Sequence, residues 1–105
     1  MLEIKYIKVC NEGRPLQSRV FEVVVGDTSF TVEAFELIGD FSIEFCQRRI
    51  ENNINDILAL HEIRASFDKL QKSIPDFSKS KVFRDLIHLE SRIDSRLSDF
   101  EIDVN

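Results

Sequence analysis

The chain has 105 residues, 43% of them hydrophobic and 31% charged, and its formal net charge at pH 7 is -5. This length matches one ordinary domain, residues 1–105, and no run approaches the roughly 18 consecutive apolar residues that a membrane-spanning helix requires. Because the N-terminal residues also lack the basic-then-apolar order of a secretory signal, we predict a cytoplasmic protein with no membrane contact.

The first predicted element is a three-stranded antiparallel sheet over residues 1–36. Two runs of alternating apolar residues flank Gly26-Asp27, and a glycine at the first turn position of a two-residue hairpin adopts a positive φ at low cost. If Val25 faces Thr28, the alternation gives the hairpin one apolar and one polar face. In the strand before it, the alternation slips after Tyr6, which indicates a β-bulge or an irregular edge.

The second part of the chain has the periodicity of helices. Apolar residues recur every three or four positions over residues 40–74, with Asp40 as the predicted N-cap. A continuous helix of this length would measure about 50 Å, which is long for a compact chain of this size. It therefore either protrudes or breaks, and we favour a break at Glu51-Asn52-Asn53, since asparagine is a weak helix former.

A second helix is predicted over residues 76–100, after Pro75, with Asp76 or Ser78 as its cap. The two helical segments would then form a C-terminal antiparallel hairpin that packs on the sheet. The predicted fold class is therefore α+β.

The sequence carries no motif of a common catalytic chemistry. Glycine-rich phosphate loops, GxSxG and HExxH motifs and calcium-binding loops are all missing. The two cysteines, Cys10 and Cys46, form no Cys-X-X-Cys pair and are too few for a disulfide framework. We expect no catalytic residue, no metal and no cofactor, so that the protein is not an enzyme.

The segment His61-Glu62-Ile63-Arg64, midway along the first helical stretch, matches part of a known pattern. It resembles the phospho-accepting segment of sensor histidine kinases, in which Thr-Pro follows on the first helix of a dimeric helical hairpin. Here Ala65-Ser66 replaces that pair, and the chain leaves no room for the nucleotide-binding domain of a kinase. The resemblance implies a stand-alone phosphotransfer protein that uses His61. We favour the alternative of a helix-surface histidine without special chemistry.

Acidic residues dominate the chain between Val20 and Gln47, where no lysine or arginine occurs. The acids of this run are Glu22, Asp27, Glu33, Glu36, Asp40 and Glu44. Since they fall on the polar face of the hairpin, in its turn and at the entry to the helix, we predict one negative, partner-binding surface. Such a surface would attract a basic partner. The alternative is a solvated face that keeps the domain soluble.

An acidic binding surface suits an inhibitor of a small basic nuclease, which presents acids where the nucleic acid would lie. In size, acidity and lack of motifs the chain is similar to the immunity proteins of bacterial competition systems. Our first hypothesis is therefore an immunity protein or antitoxin that occludes a cognate basic, nuclease-type toxin. The alternatives are a homodimeric or larger adaptor, a phage-encoded inhibitor of a host enzyme and, third, the phosphotransfer protein. The negative net charge disfavours nucleic-acid binding.

Overall fold

A computed structural model describes residues 1–37 and 40–103. Over these residues the chain combines three α-helices with a four-stranded antiparallel sheet in the order β1-β2-β3-β4. The elements in chain order are β1 (Leu2–Cys10), β2 (Ser18–Val25), β3 (Thr28–Phe35), α1 (Ile43–Asn52), α2 (Ile54–Ser73), a 3₁₀ turn (Phe77–Lys79), α3 (Lys81–Arg96) and β4 (Phe100–Asp103).

The hairpin of β2 and β3 has the predicted register. Val25 faces Thr28 across the turn, where Gly26 has a φ of 58°. A side chain is strained at such a φ, which explains the glycine at this position. The pairing of β1 with β2 shifts between Tyr6 and Lys8, and this irregularity confirms the predicted bulge.

The fourth strand corrects the predicted three-stranded sheet. β4 pairs antiparallel with β3 and places Ile102 opposite Val32. The helix predicted over residues 76–100 is therefore wrong at its end, since α3 stops at Arg96. The physical reason is burial: Ile102 is only 5% exposed in its strand position.

The predicted helical stretch over residues 40–74 breaks at Asn53, as favoured. Asn53 leaves the helical region with φ -111° and ψ 15°, and its side-chain amide donates a hydrogen bond to the Arg49 carbonyl at 2.8 Å. The Arg49 carbonyl also accepts a hydrogen bond from the Asn53 backbone N–H at 3.2 Å, so the side-chain amide competes with the helical ladder for this acceptor, which is how asparagine weakens helix interiors. α2 then begins at Ile54.

The helix caps differ from the predicted ones. Ser42, and not Asp40, caps α1: its Oγ accepts a hydrogen bond from a first-turn backbone N–H at 3.1 Å. The extended backbone of Ser42 explains the change, because it places the cap directly before Ile43, the first residue of the helix, which lies three residues beyond Asp40. Ser80 caps α3 in the same way, while Asp76 has a left-handed conformation and Ser78 lies in the 3₁₀ turn.

The helices pack on one side of the sheet, which we call the inner face; the opposite side is the outer face. The buried inner-face side chains of the sheet are Phe21, Val23, Phe30, Val32, Ala34 and Ile102. The helical side chains that bury against them are Cys46, Ile50, Ile57, Leu60, Ile63, Ile93 and Leu97. One apolar core therefore joins β4 and all three helices to the hairpin.

α2 and α3 run antiparallel, and an ion pair joins the start of one to the end of the other. The Arg96 guanidinium donates two hydrogen bonds to the Asp56 carboxylate, at 3.0 and 3.1 Å. The hydrogen bonds from Arg96 hold the pKa of Asp56 below its ordinary value of 3.8. The pair thus favours the charged carboxylate in the folded state.

Asp56→Asn is expected to lower the stability of the protein at neutral pH by the small amount that exposed ion pairs contribute. Because folding lowers the pKa of Asp56, the contribution is present above the unfolded-state pKa and is lost as pH falls through the folded-state pKa. The difference in Tm between wild type and variant should therefore close below pH 3.8. Thermal unfolding followed by circular dichroism over a pH series checks this, and a difference that persists at acidic pH contradicts it.

Candidate functional site

A shallow trough of about 670 Å³ crosses the outer face of the sheet, lined by residues of all four strands. Its apolar lining includes Val20 in the second strand and Ile7 at the bulge of the first, and Ile7 is 50% exposed. Exposed apolar surface bordered by polar groups is the composition of protein-binding surfaces. The trough is therefore our candidate site.

Acidic side chains from two adjacent strands meet in this trough. Glu33 of β3 lies directly opposite Glu101 of β4, and Asp103 lies opposite Thr31 two pairs further along, on the same face. All three carboxylates line the trough, together with Lys8 on the side of β1. The trough thus carries more negative than positive charge, and its acidic part lies over β3 and β4.

Glu33 is held in position by a buried hydroxyl. Ser18 is 0% exposed and its Oγ donates a hydrogen bond to the Glu33 carboxylate. A hydrogen bond to a charged acceptor is stronger than one between neutral groups, and it fixes the side chain across the neighbouring strand. The position of this carboxylate on the outer face is therefore fixed by the fold itself.

Glu101→Gln is expected to stabilise the free protein, because like charges directly opposite each other destabilise an antiparallel pair. The glutamine keeps the shape of the side chain and removes the repulsion from Glu33. We expect a gain of about 0.2–1 kcal/mol in the free energy of unfolding. Urea unfolding measures the gain, with Glu51→Gln on the exposed surface of α1 as the matched control. A loss of stability in the Glu101 variant would contradict the repulsion.

The structure spreads the six predicted partner-binding acids along the hairpin and into α1. They are Glu22 and Glu33 on the outer face, Asp27 in the hairpin turn, Glu36 just after β3, Asp40 before α1 and Glu44 in its first turn. The eight residues of β3 span about 25 Å, which separates the turn from the entry to α1. Of the six, Glu33 lines the trough.

Three of the remaining acids bind neighbouring groups of the chain. Glu22 accepts a hydrogen bond from a serine hydroxyl at 2.8 Å, and Glu36 accepts one from a glutamine amide at 2.6 Å. Asp40 accepts one from the Ser42 backbone N–H at 2.9 Å, and that bond holds the pKa of Asp40 below its ordinary value of 3.8. Asp40 therefore shapes the entry to α1.

Two acids of the trough, Glu101 and Asp103, were missed in the sequence analysis. Their signal was the alternation of apolar and acidic residues in Phe100-Glu101-Ile102-Asp103, which is typical of a strand with one buried face. Phe100 also continued the helical spacing of the preceding residues, and the helical interpretation took precedence. The register of β4 brings both acids to the outer face.

His61 does not lie on the helix surface, which corrects the interpretation favoured from the sequence. It is 8% exposed and stacks on Phe30 of the sheet, with ring centroids 4.2 Å apart and an interplanar angle of 17°. Phospho-accepting histidines need a solvent-exposed imidazole for their partner. The stacked position of His61 therefore gives no support to the phosphotransfer hypothesis.

Arg64, the last residue of the matched segment, ties three elements together. Its guanidinium donates hydrogen bonds to Glu90 and Asp94 of α3, at 3.3 and 3.4 Å, and to the Ile102 carbonyl of β4 at 3.1 Å. Ile63 beside it is in the core, 7% exposed. Packing and hydrogen bonding thus account for His61, Ile63 and Arg64 in this segment.

Comparisons with known proteins add no identity to the site. A scan against protein-family models finds no match, and searches of curated proteins and of solved structures find no similar protein. Within residues 1–37 and 40–103, no group of three or more His, Cys, Asp or Glu side chains could hold a metal ion. Across the same residues, no helix combines the length and the apolar character needed to cross a membrane.

Proposed function

We propose that the protein is a small inhibitor that binds a basic partner protein on the outer face of its sheet. The model for this function is a bacterial immunity protein or antitoxin that occludes a cognate basic, nuclease-type toxin. The observation that carries the proposal is the pairing of Glu33 with Glu101 in an open trough. Ser18 stabilises the Glu33 carboxylate, but a second carboxylate directly opposite it lowers the stability of the strand pair, and a neutral residue at position 101 would avoid this cost.

A basic partner would remove the repulsion between Glu33 and Glu101. A lysine or arginine side chain placed between Glu33 and Glu101 would turn one repulsion into two attractions, and the guanidinium group can bind carboxylates through two parallel hydrogen bonds. Asp103, two residues further along β4 on the same face, offers a third carboxylate for a second basic side chain. Nuclease active sites carry such groups to hold phosphates, which makes them a fitting partner class.

The apolar part of the trough supports the same proposal. Charge pairs at an interface mainly set the association rate and the specificity, whereas a few apolar anchors slow dissociation. Ile7 and Val20 supply apolar surface beside the acids. An amphipathic, basic segment of a partner would match both features of this face.

Affinity capture from the native host tests the proposal. The tagged protein is used as bait at low salt and again at about 0.5 M salt, where charges separated by more than a few ångströms are screened. We expect one basic protein to co-elute in a one-to-one ratio, with recovery that falls as salt rises. Recovery of acidic or neutral proteins only, or of the bait alone, would contradict the proposal.

A further inference from the structure

The first strand, β1, forms one edge of the sheet and is nine residues long. The edge of such a strand presents backbone N–H and C=O groups that can pair with another strand. Its exposed apolar side chains include Leu2, 42% exposed, and Ile7 at the bulge, 50% exposed. The bulge lies after Tyr6, so that the segment before it, residues 2–6, is regular.

The side chains of this regular segment alternate so that one copy of the segment is complementary to a second copy that runs antiparallel to it. Ile4 and Tyr6 point to the inner face, since they pair with the buried Val23 and Phe21 of β2, and the alternation places Leu2 on the same side opposite the partly buried Val25. Glu3 and Lys5 point to the outer face, where they form an exposed ion pair at 3.2 Å within their own strand. The outer side of the segment thus carries one acid and one base on either side of Ile4.

We propose that two copies of the chain pair antiparallel through this edge, with a two-fold axis through Ile4. Such an axis, perpendicular to the sheet, keeps the inner faces of both copies on one side. Glu3 of each copy then lies opposite Lys5 of the other, and Leu2 lies opposite Tyr6. The two sheets join into one continuous antiparallel sheet with both troughs on the same side.

The neighbouring registers are less favourable for electrostatic reasons. Shifting the axis to Glu3 places two copies of that carboxylate opposite each other, and shifting it to Lys5 does the same for two ammonium groups. Like charges directly opposite destabilise an antiparallel pair, while opposite charges stabilise it by about 0.2–1 kcal/mol per pair. An axis that passes between two residues is also excluded. It would place side chains of the inner face opposite side chains of the outer face, whereas paired residues must point to the same face. Charge therefore selects the register on Ile4.

Charge exchange at these two positions tests the proposal with the protein alone, independently of any partner protein. Sedimentation equilibrium should show a dimer for wild type. Glu3→Lys and Lys5→Glu each replace two attractive contacts by two repulsive ones, so each should raise the dimer dissociation constant about ten-fold or more. The double variant Glu3→Lys/Lys5→Glu restores opposite charges across the axis and should regain the wild-type constant.

A mixture of the two single variants tests the proposed pairing most directly. The Glu3→Lys chain and the Lys5→Glu chain repel their own copies but are complementary to each other, so a heterodimer should form. Asp85→Lys and Lys79→Glu, on exposed positions outside the sheet, are the matched controls and should leave the dimer unchanged. A wild-type monomer at all concentrations, or a dimer that is insensitive to both single variants, would overturn the proposal.

Discussion

Ile102→Ala is expected to lower the free energy of unfolding by about 2–5 kcal/mol, the range for truncation of a buried aliphatic side chain. Ile102 is 5% exposed, belongs to the core and faces the fully buried Val32 across β3 and β4. Its removal would leave a cavity beneath the strand that carries Glu101. Since the whole domain is only marginally stable, the variant should populate unfolded states at modest urea concentrations.

Ile87→Ala on α3 is the matched control for this variant. The same atoms are removed there, but Ile87 is 40% exposed. We expect a change of about 0.5 kcal/mol or less for a surface substitution of this kind. Urea unfolding followed by circular dichroism compares the two. Equal losses in both variants would show that β4 is not anchored in the core.

The double variant Glu33→Lys/Glu101→Lys is expected to slow association with the captured basic partner about ten-fold or more at low salt. Both residues lie in the trough and face each other, so their reversal changes the sign of the potential there. As salt screens the charges, the rates of wild type and variant should converge. Stopped-flow or surface-based kinetics over a salt series measures both effects.

The control for this experiment is Glu51→Lys/Asp85→Lys, which makes the same change in net charge on the exposed surfaces of α1 and α3. Its association rate should stay near that of wild type if the trough directs the encounter. Equal slowing by both double variants would assign the effect to net charge alone. An unchanged rate in the trough variant would remove the outer face as the binding surface.

The local features of the fold could be predicted from the sequence because short-range rules determine them. Gly26 with its flanking alternation gave the register of the hairpin, and the slip in alternation after Tyr6 gave the bulge. The length of a continuous helix, together with a run of weak helix formers, gave the break at Asn53. The register and the bulge needed only residues that lie within a few positions of one another, whereas the break also needed the length of the whole helical stretch.

The fourth strand was not predicted because its partner lies far away in the sequence. Phe100 has both helical spacing from Leu97 and strand spacing to Ile102, and only pairing with β3 decides between them. The candidate site depends on this pairing, since Glu33 alone is one acid on a sheet face. That Glu33 lies opposite Glu101 could not be inferred without the position of β4.

The central claim is that a partner binds the outer face, and the reactivity of Cys10 tests it most directly. Cys10 lines the trough, while Cys46 is fully buried. Burial raises the pKa of the Cys46 thiol, so this residue should stay unreactive and serve as the internal reference. The measurement is the alkylation rate of Cys10 in the free protein and in the complex with its captured partner. We predict strong protection of Cys10 in the complex. Equal rates in the free and bound states would contradict binding at the outer face.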